Sequence, residues 1–181
     1  MEIQTLYQKA IKFAAAKHLE KDQKVLGTDL PYVVHLSNVA MEIFIAASNS
    51  DKFNLNFAIQ VALLHDTIED TSTDFCELEN IFGFEITKGV SALTKNSNLP
   101  KEQQMKDSLS RIKILRSEVW AVKLADRITN LQQPPTHWDK QKKIKYLDEA
   151  RIILRELKDG NNYLAKQKKK KIAEYENYIS Y

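Results

Sequence analysis

Three features of this 181-residue sequence predict an all-α fold, a single helical bundle. Only four Gly and four Pro punctuate the chain. Between them nearly every segment repeats apolar residues at steps of three and four, the signature of a helix with one buried face. No stretch alternates apolar and polar residues as a half-buried strand would, and neither a repeat nor a linker interrupts the pattern. The expected organisation is one domain over residues 1–181, long enough to bury a substantial core.

The elements follow in order. "IQTLYQKAIKFAAAKHLE" is an amphipathic first helix, and "KDQKVLGTDLP", with Gly27 and Pro31, an exposed loop. "YVVHLSNVAMEIFIAAS" reads as a second helix and "NFAIQVALLHDTIED" as a third, running unbroken to Asp70. Asp74 and Glu77 have capping-box spacing and open a short helix that stops at Gly83. "FEITKGVSALT" continues as helix, with Gly89 lowering its propensity. The next helix starts near Pro100 and reaches about Arg116. Ser117 is the expected N-cap of "EVWAVKLADRITNLQ", which Pro134 and Pro135 end. "WDKQKKIKYLDEARIILRELK" is a long helix stopped by Asp159-Gly160, and a last one covers roughly 162–179.

Composition narrows the class. Hydrophobic content of 43% and charged content of 28% fit an ordinary globular protein. No apolar run approaches the roughly 20 residues of a membrane span, and the N-terminus lacks a signal-peptide pattern. The single Cys76 cannot form an internal disulfide, so a reducing, cytoplasmic setting is expected, with Cys76 a small buried residue. Net charge is only +3, but Lys166–Lys171 ("KQKKKK") concentrates basic residues. No aromatic residues interleave with that run, so a solvated helix face or tail is expected rather than a nucleic-acid surface.

"LLHDTIEDT" breaks this ordinariness by placing His65, Asp66, Glu69 and Asp70 directly behind the apolar "AIQVALL". On a continuous helix at about 100° per residue the four side chains span an arc of roughly 140°. Charged groups are drawn toward a core only when something pairs with them, and a metal ion is the natural partner. His35 and Asp126 also stand inside apolar helical patterns, and Lys123, Asp126 and Asn130 share a face with Arg127 at its margin. Two imidazoles with two carboxylates form a mixed N/O set suited to Mn²⁺, Fe²⁺ or Zn²⁺ rather than Ca²⁺. The absence of Cys ligands argues against a structural zinc site. Alone, His35 would be a hydrogen-bonded core histidine and Asp126 a partner for Lys123 or Arg127. His18 and His137 lack carboxylate neighbours in the sequence and read as ordinary helix-end and loop residues.

The order His35, His65-Asp66, Asp126 resembles the H…HD…D pattern of the HD-domain phosphohydrolases. "ALLHDTIEDT" and "KLADRITNL" look like the signature segments of the RelA/SpoT-type (p)ppGpp hydrolases, including small stand-alone alarmone hydrolases. "LPYVVHLSNVA", "FG" followed by "VSALTK", and "KYLDEARIIL" fall in the same order, so the similarity covers about residues 5–160. Nothing resembles a synthetase domain. The resemblance implies metal ligands at His35, His65, Asp66 and Asp126, with one Mn²⁺ the family's usual ion. It also implies Glu69 and Asp70 as the catalytic acidic pair. Lys123, Arg127, Asn130 and Tyr146 match positions near the nucleotide. The implied reaction removes pyrophosphate from the 3′ position of guanosine tetra- or pentaphosphate.

The chain departs from the family pattern in two places. Leu36 follows the first histidine where the family usually has Pro. The loop "LEKDQKVLGTDLPY" keeps Lys21 and Lys24 but lacks the family's paired Arg-Lys, whose planar stacking and bidentate bonding a lysine does not reproduce. Lys24 is the expected substrate contact from this loop. Two other readings stay open beside the alarmone hydrolase: a phosphohydrolase of another phosphorylated nucleotide or nucleotide cofactor, and a helical module that senses such a nucleotide without cleaving it.

Overall fold

The computed structural model describes residues 2–179, and among them every regular element is helical. In chain order these are α1 (Ile3–Glu20), α2 (Val33–Ser48), α3 (Leu55–Leu64), α4 (Thr67–Asp70), α5 (Phe75–Phe82), α6 (Phe84–Leu93), α7 (Lys101–Lys113), α8 (Ser117–Asn130), α9 (Lys140–Leu157) and α10 (Asn162–Glu176). A 3₁₀ turn, Lys158–Gly160, joins the last two. Among the described residues the only ladder contact is an isolated antiparallel bridge between Lys24 and Pro31 inside the first loop.

Helix α3 is the central element. Phe57, Ala58, Ile59, Val61, Ala62, Leu63 and Leu64 are all buried, because the helix is apolar except along the Asn56 and Gln60 side. It packs against α1, α2, α6 and α8. Asn54 caps its N-terminus by accepting from the Phe57 N–H at 3.0 Å. The Glu118 carboxylate of α8 accepts from the Asn54 N–H at 2.9 Å, tying the start of α3 to α8.

At its other end α3 does not continue into α4, contrary to the unbroken helix expected through Asp70. Asp66 adopts φ −103° and ψ 0°, and the chain restarts at Thr67. Side chains take over the last carbonyls: His65 Nδ1 lies 2.7 Å from Ala62 O, and the buried Thr67 hydroxyl donates to Leu64 O at 2.7 Å.

Smaller differences have similarly local causes. Ser117 is the first residue of α8 rather than its cap, and Arg116 in the cap position turns instead to Glu118 at 2.9 Å. Asp74 caps α5 by accepting from Glu77 N at 2.8 Å, while the Glu77 side chain pairs with Lys17 at 2.7 Å instead of closing the box. Cys76 is exposed, not buried, because it lies two residues before Leu78, the buried position of α5, and so on the opposite face. No helix among the described residues is long and apolar enough to cross a membrane.

The basic run is an ordered part of α10. Lys169 and Lys170 are exposed and Lys171 pairs with Glu174 at 2.7 Å, but Lys168 falls on the buried stripe Leu164, Lys168, Ile172, Tyr175. Its side chain is 0% exposed and its Nζ has no hydrogen-bond partner among the described residues. Burial and the nearby Arg127 charge hold this amine well below the usual lysine range. Because the amine holds its proton less tightly in the folded than in the unfolded chain, it destabilises the fold below the unfolded lysine's value, neutral pH included. Lys168→Met should raise Tm at pH 7 by roughly 3–8 °C. The gain should shrink as pH rises toward about 10.4, where the unfolded lysine also deprotonates. Calorimetry across that range checks both, and an unchanged midpoint at pH 7 would mean that Lys168 is not unpaired in solution.

Candidate metal centre

The junction of α2, the end of α3 and α8 brings His35, His65 and Asp126 together, all buried, with one ligand atom from each within 4.8 Å of the others. His35 Nε2 and His65 Nε2 are 3.4 Å apart. Asp126 Oδ1 lies 3.5 Å from the first and 3.7 Å from the second. Donors bound to one first-row ion at about 2.1 Å stand no more than about 4.2 Å apart, so these separations fit a single divalent ion. Asp66 stands at the rim of this trio, its Oδ2 at 2.8 Å from His65 Nε2 and 3.9 Å from His35 Nε2. The Tyr32 hydroxyl donates to the same Asp66 oxygen.

The second layer sets the donor atoms. Ala62 O accepts from His65 Nδ1–H, which leaves the Nε2 lone pair for a metal. The Thr129 hydroxyl donates to Asp126 O at 2.8 Å and lies 3.4 Å from His35 Nδ1. Asn130 Nδ2 donates to Asp126 Oδ1 at 2.6 Å, and Lys123 Nζ is 3.2 Å from Asp126 Oδ2. Thus Lys123 and Asn130 come together with Asp126, as their helical spacing predicts. Arg127 is turned under α9, stacked 4.2 Å above the Tyr146 ring and 3.4 Å from Glu149.

Glu69 and Asp70 diverge once the helix has broken. Both Glu69 oxygens accept from Lys95, Oε1 from Nζ at 2.6 Å and Oε2 from the backbone N–H at 2.9 Å. Asp70 accepts through Oδ2 from Gln23 Nε2 at 2.9 Å, and its Oδ1 has no partner among the described residues. Partial desolvation and the neighbouring Asp66 carboxylate push the Asp70 carboxyl up from its ordinary value.

Beside His35 a pocket of about 470 Å³ opens. Its walls include Asn38, Asn130, Trp138, Tyr146 and Tyr175, with Val25–Thr28 facing the loop 132–138 across it. The two loops meet where Gly27, at φ +77°, would bring a Cβ to 3.2 Å from the Pro135 ring, so a larger residue there would meet both strain and contact. Tyr146 lines this pocket; Lys24 does not, being exposed and paired with Asp22 at 2.5 Å.

The spacing of polar residues did not reveal His18, Gln23, Tyr32, Lys95 or Thr129. His18 is not an ordinary helix end: it is buried, and its ring lies 4.6 Å from that of Tyr32. Its signal was present in the stripe Ala10, Ala14, His18, which repeats every four residues on the buried face of α1. Gln23, Lys95 and Thr129 gave no local signal, since their partners are 47, 26 and 94 residues away.

Fold and site together define an all-helical protein built around a His/His/Asp centre for a divalent metal. The chain belongs to the HD-domain family, whose description matches residues 10–152. It is 33% identical over 156 residues to the zebrafish (Danio rerio) guanosine-3′,5′-bis(diphosphate) 3′-pyrophosphohydrolase MESH1, with 83% of each chain covered. The human MESH1 enzyme is 31% identical over 160 residues, 86% of each chain. A solved structure described as a metazoan ortholog of SpoT that hydrolyzes ppGpp has the same fold, with a TM-score of 0.80 at 24% identity over 93% of this chain and 94% of that one.

In the metal-free protein, burial pulls the His65 imidazole down, but the Asp66 and Asp126 carboxylates outweigh it and raise it to about 10. That stabilising pairing is fully present below the ordinary value of about 6.5 and is lost as pH rises through about 10. Metal binding at neutral pH must therefore displace a proton. Affinity should rise about tenfold per pH unit from neutral toward pH 9, with about one proton released per ion. Calorimetric titration in buffers of different ionisation enthalpy measures this. A second test is metal content: His65→Ala and Asp126→Asn should each lose the ion in elemental analysis while keeping the helical circular-dichroism spectrum.

Proposed function

We propose that this chain is a (p)ppGpp 3′-pyrophosphohydrolase that converts guanosine tetra- and pentaphosphate to GDP and GTP with release of pyrophosphate. The observation that carries the reading is the buried trio His35, His65 and Asp126, with Asp66 at its rim and the Asp70 carboxyl near enough to Asp66 to be pushed up by its charge. Similarity to MESH1 over most of both chains supports the same substrate. The ion is Mn²⁺ in this reading, held by His35, His65, Asp66 and Asp126, and the setting is cytoplasmic. When bound, it supplies Lewis acidity that favours ionisation of water near neutral pH and offsets charge on phosphoryl oxygens.

The rest belongs to this chain's own side chains. Asp70 Oδ1 takes the proton of the attacking water, since Oδ2 is held by Gln23 and both Glu69 oxygens are held by Lys95. Glu69 in turn fixes the Lys95 ammonium at the site, where it and Lys123 face the negative charge of the diphosphate. Tyr146 and Asn130 line the pocket for the nucleoside, and Arg127 supports the Tyr146 ring from behind. Lys24, paired with Asp22, is available to the substrate only if that pair opens.

A panel of nucleotides incubated with purified, Mn²⁺-loaded protein, with products separated by chromatography, tests the reading. Pyrophosphate should appear from ppGpp and pppGpp. Asp70→Asn should retain the metal and lose turnover by about 10²–10⁴-fold. Release of nothing from any 3′-diphosphorylated guanosine nucleotide would overturn the assignment.

One observation favours a broader substrate range. The first loop turns Lys24 toward Asp22 and offers only Val25–Thr28 to the pocket, so it brings no planar cation to a guanine edge. Measurable hydrolysis of at least one other 3′-phosphorylated nucleotide is therefore expected in the same panel. Strict selectivity for guanine would show that recognition comes from elsewhere in the pocket.

A further inference from the structure

The stretch between α1 and α2 is organised around Gln23. Its N–H donates to His18 O at 3.1 Å, and its carbonyl accepts from the Tyr32 N–H at 3.1 Å, so the backbone is clamped on both sides. Asp22, immediately before it, has φ +47°, in the left-handed region that Asp enters more readily than most non-glycine residues. That turn returns the Gln23 side chain to α1. There the buried His18 donates from Nδ1 to Gln23 Oε1 at 2.6 Å, while Gln23 Nε2 reaches Asp70 Oδ2 at 2.9 Å. The amide cannot flip without placing its NH₂ against the imidazole N–H and its oxygen against the carboxylate. The His18 ring is itself held against Tyr32 at 4.6 Å, and the Tyr32 hydroxyl donates to Asp66. One polar chain thus runs from α1 through the loop to the acidic end of α4.

We propose that His18 and Gln23 are positioning residues: His18 orients the Gln23 amide, and Gln23 holds Asp70 Oδ2 so that Oδ1 faces the attacking water. The inference rests on the reading of Asp70 as the proton acceptor. The proton passes from water to Oδ1; His18 and Gln23 transfer none. The charged groups facing Asp70 are Asp66 and Glu69 on its own side and His18 from α1, with Lys95 engaged by Glu69. Among these neighbours the Gln23 bond acts to keep the Asp70 carboxylate ionised, against partial desolvation and Asp66.

Two variants separate orientation from packing. Gln23→Leu keeps bulk and removes the amide. His18→Phe keeps a ring against Tyr32 and removes the N–H. Each should lower kcat by about 10–100-fold, the usual effect of removing a supporting hydrogen bond behind a reacting group. KM should change by no more than about twofold and metal content not at all, because no ligand is touched. Both should move the acid limb of the pH–rate profile to higher pH, and His18→Phe should do so without lowering Tm. In the Asp70→Asn background, Gln23→Leu should add nothing further, since the two act through one contact.

The Gln23 side-chain NH₂ resonances, assigned with Gln23→Leu, should shift in Asp70→Ala and in His18→Phe, because the amide is hydrogen-bonded to both side chains. Unmoved Gln23 resonances in Asp70→Ala, or losses that multiply between Gln23→Leu and Asp70→Asn, would overturn the proposal. If wild-type protein cleaves no 3′-diphosphate, the hydrolase reading fails on that result alone, while the Gln23 resonances still decide whether Gln23 holds Asp70.

Discussion

Two imidazoles and two carboxylates cannot be left unpaired in the interior of a helical protein, and the architecture around α3 is organised by that constraint. Isolated buried charges cost several kcal/mol each unless they are paired or coordinated. Here three helices bring their polar residues to one junction, and each residue is held by a partner outside the trio. Asp126 is gripped by Lys123 and Asn130, His65 by Ala62 O, and Asp66 by Tyr32. A largely apolar α3 makes this feasible, since a helix whose last four residues are all buried fixes the position of the residue that ends it. The same cluster explains why the imidazole of His65 stays protonated without a metal, and why its Nε2 faces Asp66 and Asp126.

The break between α3 and α4 turns a structural cluster into a candidate reaction centre. On a continuous helix His65, Asp66, Glu69 and Asp70 would project into one sector, and the three carboxylates would repel one another. Because Thr67 and His65 satisfy the last carbonyls of α3, the chain turns at Asp66 and the acidic pair is shared between two different neighbours. Glu69 goes to Lys95 after α6 and Asp70 to Gln23 in the first loop. Two adjacent carboxylates thereby acquire different environments, and only one keeps a free oxygen.

The pocket beside His35 is walled largely by loops. Gly27 against Pro135 joins the first loop to the segment after α8 beside a pocket whose walls include amides and aromatic rings. Lys123 on α8 and Lys95, just after α6, pair instead with Asp126 and Glu69. The surroundings of the trio and most of the pocket walls are accordingly supplied by different parts of the chain.

The sequence by itself determined the helical class, most helix boundaries and the convergence of His35, His65 and Asp126, whereas Asp66 falls at the rim of that trio. These are readable because helical period is local and because a histidine or carboxylate in an apolar pattern is costly unless it has a purpose. The face shared by Lys123, Asp126 and Asn130 was legible for the same reason. Tertiary structure alone decided the rest. The turn at Asp66 depends on Thr67 being buried, and the partner of Asp70 lies 47 residues away in a loop with no period. Lys24 and Lys168 both belong to lysine-bearing segments that read as solvated, yet one is exposed against Asp22 and the other lies fully inside. Spacing along a helix states which residues share a face; which face meets which neighbour is set only when α2, α3, α8 and α10 pack together, because long-range contacts have no local signature.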